Sequence, residues 1–134
     1  MAAKNLDELN EMMMPFAKLL GIRLTRAEPD LFEAEMEVRD DMCTLPAILH
    51  GGALMAFADT LGGIGAFANM GPDNKGTATI ESKTNFIAAA PAGTTVIGRC
   101  TPLHKGRRTH VWQTRIETQE GKLVGLVTQT QLMT

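Results

Sequence analysis

Positive charge in excess is the first thing this sequence lacks. Its 13 Lys and Arg residues stand against 15 Asp and Glu, for a net charge of -2, so the electrostatic footprint of a nucleic-acid binder is absent. Cysteine is equally scarce. Cys43 and Cys100 are too few for a disulfide framework, and together with only three histidines at unrelated spacings they offer no metal-ligand pattern, so no metal is expected. Met1 to Asn10 do not follow the basic-then-apolar order of a signal peptide, and a reducing cytoplasm is the expected location. Internal repeats and low-complexity segments are missing. What is present fits one globular domain: 134 residues, 44% apolar and 21% charged, allow one real core and are too few for two ordinary domains. That domain is expected to occupy 1–134, with an N-terminal helical segment over 1–20 and the core over 21–134.

Charge is also missing locally. From Gly51 to Met70 the only ionisable side chain is Asp59, and an ionised acid among apolar neighbours loses hydration worth several kcal/mol unless it is paired or hydrogen-bonded. Such a residue marks a candidate functional site. The run is long and apolar enough to raise the possibility of a membrane span, which takes about 20 residues. Asp59 in its middle, Gly62, Gly63 and Gly65 after it, and flanks without basic anchors favour a helix buried by protein, with no membrane partner.

Burying that helix requires a sheet, and the rest of the chain supplies one. Ile22 to Ala27 and Leu31 to Val38 read as strands joined by a turn at Pro29-Asp30, the second with Phe32, Ala34, Met36 and Val38 on one face. Thr77 to Ile87 alternates Ala78, Ile80, Ser82, Thr84 and Phe86 against Thr79, Glu81, Lys83 and Asn85. Thr94 to His104, Arg108 to Thr118 and Lys122 to Leu132 follow as three more strands. A short N-terminal helix carries Leu6, Leu9 and Met13 on one stripe and is expected to end at Pro15. The order is that of an α+β domain in which one curved antiparallel sheet wraps one long central helix.

The stretch Leu49-His50-Gly51-Gly52-Ala53-Leu54 with Asp59 nine positions after the histidine, the strand Thr79 to Phe86 and the Pro91-Ala92-Gly93 turn resemble a hotdog-fold acyl-CoA thioesterase. The likeness is greatest to the branch of the phenylacetate-pathway and 4-hydroxybenzoyl-CoA thioesterases, and it covers about Gly21 to Leu132. It implies hydrolysis of an acyl-CoA to free acid and coenzyme A, with no metal or redox cofactor. His50 then shapes the loop entering the helix, and Thr79 stands where many relatives carry a Ser or Thr that orients the water or the thioester. Two departures precede His50: Thr44 where relatives often place Asn or Gln, and Ala47 where they often have Gly.

The residues suit that chemistry. Gly51 and Gly52 open the helix, where free N–H groups and the positive end of the helix dipole can stabilise an oxyanion, although both glycines could instead serve tight packing. Asp59 either attacks the carbonyl or deprotonates a water that does, and a purely structural hydrogen-bonded Asp is the alternative. Gly51 and Asp59 are about 12 Å apart along a helix, whereas an attacking atom must come within about 3.5 Å of the carbon. A composite site at the interface of a homodimer is therefore expected, and a dimer of dimers is common among similar proteins. Burial is expected to act on Asp59 against the pull of a neighbouring helix N-terminus. A triad of Cys43, His50 and Asp59 is rejected, because nothing in the spacing gives Cys43 a base.

Lys105, Arg107 and Arg108 suit the coenzyme A phosphates, with plain surface solvation as the alternative. The acyl group is expected in an apolar pocket of Leu54, Met55, Ala58 and the Met12-Met13-Met14-Pro15-Phe16 stretch. A hydratase is disfavoured because His50 and Asp59 do not sit on one short motif. A non-hydrolytic acyl-CoA-binding protein remains the competing class.

Overall fold

The computed structural model describes residues 5–134, so the first four positions of the expected N-terminal segment lie outside it. Two short helices open the chain where one was expected. Helix α1 (Leu6–Glu11) starts from a capping box, in which Asn5 Oδ1 accepts the Glu8 N–H at 2.9 Å and Glu8 Oε2 accepts the Asn5 N–H at 3.3 Å. It stops before Pro15, and that proline begins helix α2 (Pro15–Leu20) rather than ending α1. At the first helical position a missing N–H costs nothing, and the fixed φ of proline suits the turn. Leu9, Met13, Ala17 and Leu20 face the core.

Strands β1 (Arg23–Glu28) and β2 (Leu31–Glu37) form a hairpin, with β2 burying Phe32, Ala34 and Met36 as its alternation predicts. On the opposite face Glu33 and Glu35 pair with Arg26, Arg99 and Arg23. A single turn of 3-10 helix and two strands of two residues each, β3 (Cys43–Thr44) and β4 (Ile48–Leu49), come next, and the sequence reading missed all three. They lead into helix α3 (Gly51–Ala68). Strands β5 (Thr77–Phe86), β6 (Thr95–Lys105), β7 (Thr109–Thr118) and β8 (Leu123–Met133) complete an antiparallel sheet in the order β1-β2-β6-β7-β8-β5. The α+β arrangement of one sheet around one long helix is as expected.

Helix α3 lies along the inner face of the sheet. Leu54, Phe57, Ala58 and Leu61, spaced three and four apart, bury one side of it against residues such as Val96, Trp112, Ile116 and Val127. Two helical glycines make the approach close: a Cβ on Gly65 would stand 3.0 Å from the Trp112 ring, and one on Gly62 would stand 2.2 Å from the Gln129 amide. The helix is not enclosed all round, which corrects the sequence reading. Gly52, Met55 and Asp59 form an exposed stripe on its far side, and half of this long apolar helix is buried.

The β5–β8 ladder slips once. Thr79 pairs with Gln131 and Glu81 with Thr130, leaving Ile80 as the extra residue of a bulge. Strict alternation would send Thr79 and Ser82 to opposite faces. Because of the bulge, Thr77 and Thr79 before it and Ser82 and Thr84 after it all turn toward α3, while Ile80 is left 57% exposed.

Candidate active site

The entry to α3 is built by backbone bonds. His50 N–H donates to Met42 O at 2.9 Å and Leu49 N–H to Ala90 O at 2.8 Å, which fixes the angle at which the chain reaches the helix. His50 is the N-cap: its Nδ1 accepts the Gly52 N–H at 2.8 Å, and its carbonyl accepts the Ala53 and Leu54 N–H groups. Gly52 is thereby removed as an oxyanion donor. Among the described residues the Gly51 N–H makes no hydrogen bond, so it alone of the two glycine amides stands available at the positive end of the helix. The Phe86 ring crowds this point, since a Cβ on Gly51 would come within 2.8 Å of Phe86 Cε1.

Thr44 and His50 line an open cavity of about 630 Å³ together with Cys43 and Ala47. Cys43 Sγ lies 3.3 Å from Arg39 O, and His50 Nδ1 is taken by Gly52, so neither side chain is arranged for a triad with Asp59. Cys100 is a core thiol, its pKa pushed up to about 12 by burial.

Two turns along α3, Asp59 meets β5. Thr79 Oγ1 donates to Asp59 Oδ1 at 2.6 Å, so the structure brings together two residues that the sequence reading had named separately. Asp59 is exposed in the single chain rather than buried among apolar groups as expected, and its Oδ2 has no partner among the described residues. Behind Thr79 lie two buried amides that sequence reasoning missed. Gln131 Nε2 donates to Thr79 Oγ1 and to Gln129 Oε1, each at 2.6 Å, and Gln129 Nε2 donates to Ala58 O at 2.9 Å. The signal was available: Val127, Gln129, Gln131 and Met133 alternate on one face of β8, so two of the four inward side chains had to be amides.

A cleft of about 270 Å³ lined by Met14, Phe16, Asp59, Gly63, Thr79 and Gln131 exposes the carboxylate. It shares Met14, Gly63 and Thr77 with an apolar cavity of about 390 Å³ whose other walls include Met12, Met13, Ile64 and Phe67. The expected acyl pocket is thus partly corrected. The methionine stretch and Phe16 are at the site and Met55 lies on the exposed stripe beside Asp59, but Leu54 and Ala58 are 3% and 0% exposed and face the sheet. Positions 54 and 58 stand about 100° round the helix from 55 and 59, enough to turn them to the sheet while 55 and 59 stay exposed.

The basic cluster sits at the other end of α3. Lys105 is ion-paired with Asp30 and donates to Oδ1 of Asn69, the C-cap of α3, at 3.2 Å, while Arg107 and Arg108 are exposed. Lys105, Arg107 and Asn74 line a cavity of about 370 Å³ with His110. His110 is buried, its Nδ1 accepting from Trp112 Nε1 at 3.3 Å, and burial with Lys105 and His104 nearby pushes its pKa below the ordinary 6.5.

A carboxylate oriented by a hydroxyl, a free amide at the start of a helix, and a sheet wrapped on that helix define a class of hydrolase. Residues 46–125 match the profile of the thioesterase superfamily. The chain belongs to that superfamily and has its hotdog fold. It is 32% identical to the proofreading thioesterase EntH of Klebsiella pneumoniae over 91% of this chain and 85% of that one. A putative esterase of Haemophilus influenzae is 31% identical over 88% and 85% of the two chains. The crystal structure of thioesterase HI1161 from the same organism superposes with a TM-score of 0.91 at 28% identity, covering 99% of this chain and 92% of that one. Esters and thioesters are accordingly the bonds its relatives are named for.

Proposed function

We propose that the protein hydrolyses acyl-coenzyme A thioesters to free acid and coenzyme A, with aromatic or medium-chain acyl groups as substrates. The observation that carries this reading is the Thr79-bound carboxylate of Asp59 opening onto a methionine-lined cavity. The acyl group occupies that cavity, and Arg107 and Arg108 meet the nucleotide phosphates, Lys105 being already compensated by Asp30.

The reaction balances by either of two routes. Asp59 Oδ2 attacks the thioester carbon, the C–S bond breaks, the thiolate takes up a proton, and water then cleaves the mixed anhydride. Alternatively Oδ2 takes a proton from a water that attacks the carbon, and returns it to the departing thiolate. In both, the Gly51 amide receives the oxyanion.

Carboxylate and amide come from different copies. Along α3 they are about 12 Å apart, too far for one carbonyl to use both. Strand β5 is an edge, with Ile80 and Phe86, and Ile87 just past its end, more than half exposed, the kind of edge that a second copy can pair. Two β5 edges paired antiparallel about the midpoint of Ser82 and Lys83 set Thr79 of one copy opposite Phe86 of the other. Asp59 of one then faces Gly51 of its partner, giving two equivalent sites. A dimer is the smallest working unit, and a dimer of dimers contains the same pair.

The test is a panel of aromatic and aliphatic acyl-CoAs with a thiol-release readout, on wild type and Asp59→Ala, with mass by light scattering. Release that depends on Asp59, from a dimer or larger, is expected. Tight acyl-CoA binding without release would select a non-hydrolytic binding protein, and an active monomer would end the composite site.

A further inference from the structure

We propose that Gln129 and Gln131 are positioning residues that set the direction of the Thr79 hydroxyl and, through it, clamp Oδ1 of Asp59 so that Oδ2 alone is left for substrate. The inference rests on the role given to Asp59 above and extends it to two buried side chains behind the carboxylate.

The direction of every bond in this chain follows from one fixed end. The Ala58 carbonyl can only accept, so the Gln129 group beside it is the NH2, donating at 2.9 Å. Gln129 Oε1 then points the other way and can only accept, so the Gln131 group 2.6 Å from it is again the NH2. The second hydrogen of that NH2 goes to Thr79 Oγ1 at 2.6 Å. With one lone pair taken, the Thr79 hydroxyl has its proton free for the carboxylate, and it donates to Asp59 Oδ1 at 2.6 Å. A hydroxyl by itself could rotate and accept instead. With Gln131 donating to it, the hydroxyl has two acceptors in reach, Gln129 Oε1 at 3.4 Å and Asp59 Oδ1 at 2.6 Å, and the nearer, charged carboxylate takes the proton.

The relay is built into the core rather than laid on the surface. Gln129 and Gln131 are each 1% exposed, where an amide without partners is costly. Gly62 supplies the room, because a methyl there would stand 2.2 Å from Gln129 Nε2 and drive the amide off the Ala58 carbonyl. The bulge at Ile80 supplies the aim, turning Thr79 inward opposite Gln131. Ala58 precedes Asp59 in the chain, so the relay begins and ends on the same turn of α3. The carboxylate is thereby referenced to the helix that carries it.

The experiment is a double-mutant cycle on the acyl-CoA that wild type cleaves best, using Gln131→Leu, Thr79→Val and the two combined, with folding checked by thermal melts. Each single change is expected to lower kcat about tenfold with little change in KM, and the pair to fall no further than the worse single. Thr79→Ser should restore most of what Thr79→Val loses. Multiplying losses in the pair, or a loss confined to KM, would overturn the relay. Should Gln131→Leu fail to fold, Gly62→Ala displaces the Gln129 amide, the next member of the relay, while keeping every side chain of it, and full kcat there would be equally fatal. A readout independent of turnover separates this proposal from the hydrolase reading. By NMR the Gln131 side-chain NH2 protons should exchange slowly with solvent, and their shifts should move in Thr79→Val. Fast exchange, or shifts indifferent to Thr79, would sink the relay even in an active enzyme, whereas the expected pattern in an inactive protein would leave it standing.

Discussion

Thr79 and Asp59 are 20 positions apart in sequence and 2.6 Å apart in space, and the hydroxyl is the donor. An edge strand and the central helix are joined at the one acid that the helix carries. Asp59→Asn keeps an oxygen that can accept from Thr79 but loses the ionised one that acts on substrate. Its kcat should fall by about 10³, with the thermal midpoint unchanged. Near-normal thiol release from purified Asp59→Asn would remove Asp59 from the chemistry.

The acyl cavity can be resized at one position. A Cβ on Gly63 would meet nothing within 4 Å, so a larger side chain there fills the methionine-lined space without displacing the core. Gly63→Leu should leave kcat/KM for the shortest acyl-CoA within about twofold and lower it at least tenfold for the longest, as measured by thiol release across a chain-length series. Equal loss at every length would place the acyl group elsewhere.

His50 acts through its ring nitrogen as a cap. His50→Ala removes the acceptor for the Gly52 N–H and should cost about 1 kcal/mol, read as a lower urea midpoint at constant slope. His50→Asn should recover most of it, since an amide oxygen caps a helix as well.

Ala47 holds φ at +101°, a conformation that a residue with a Cβ rarely adopts. This is also where the sequence departs from a glycine common in similar proteins. Ala47→Gly should raise stability by about 0.5–1 kcal/mol, the relief of strain exceeding the added freedom of the unfolded chain. Denaturant unfolding of the pair of proteins measures it.

His110 gives the fold a pH dependence of known sign. Its pKa is lowered in the folded state, chiefly by burial and further by Lys105 and His104. The unfolded chain therefore binds the proton more readily, and stability falls as pH drops through about 6.5 toward the lower folded value. His110→Gln should flatten the thermal-midpoint profile over that window. An unchanged profile would show that His110 does not report the folding equilibrium.

Most of the fold could be read from apolar spacing. The strands end within about two residues of where alternation and turn residues set them, because one face of each is buried and the other solvated. Asp59, His50 and Gly51 were legible for a different reason: each is chemically conspicuous among apolar neighbours. What escaped depended on events that periodicity does not encode. The bulge at Ile80 puts Thr79 on the same face as Ser82 and Thr84, whereas strict alternation groups it with Glu81, Lys83 and Asn85. Pro15 opens a helix rather than closing one, a choice made by its position in the turn. Leu54 and Ala58, expected in the substrate pocket with Met55, turn instead to the sheet, because apolar character alone does not say which side of a helix stays bare. Gln129 and Gln131 look like exposed polar residues until the strand's inner face is identified.

The two glycines of α3 that let the sheet approach impose a condition on how this sequence can drift. A side chain at position 62 pushes the amide at 129 from its place, and one at 65 presses on the indole at 112 from 3.0 Å, so that ring must yield by a few tenths of an ångström. Among descendants of this chain, change at 62 is expected to travel with change at 129, and a lineage that trades glycine for alanine at 62 disturbs the scaffolding behind its acid before touching the acid itself.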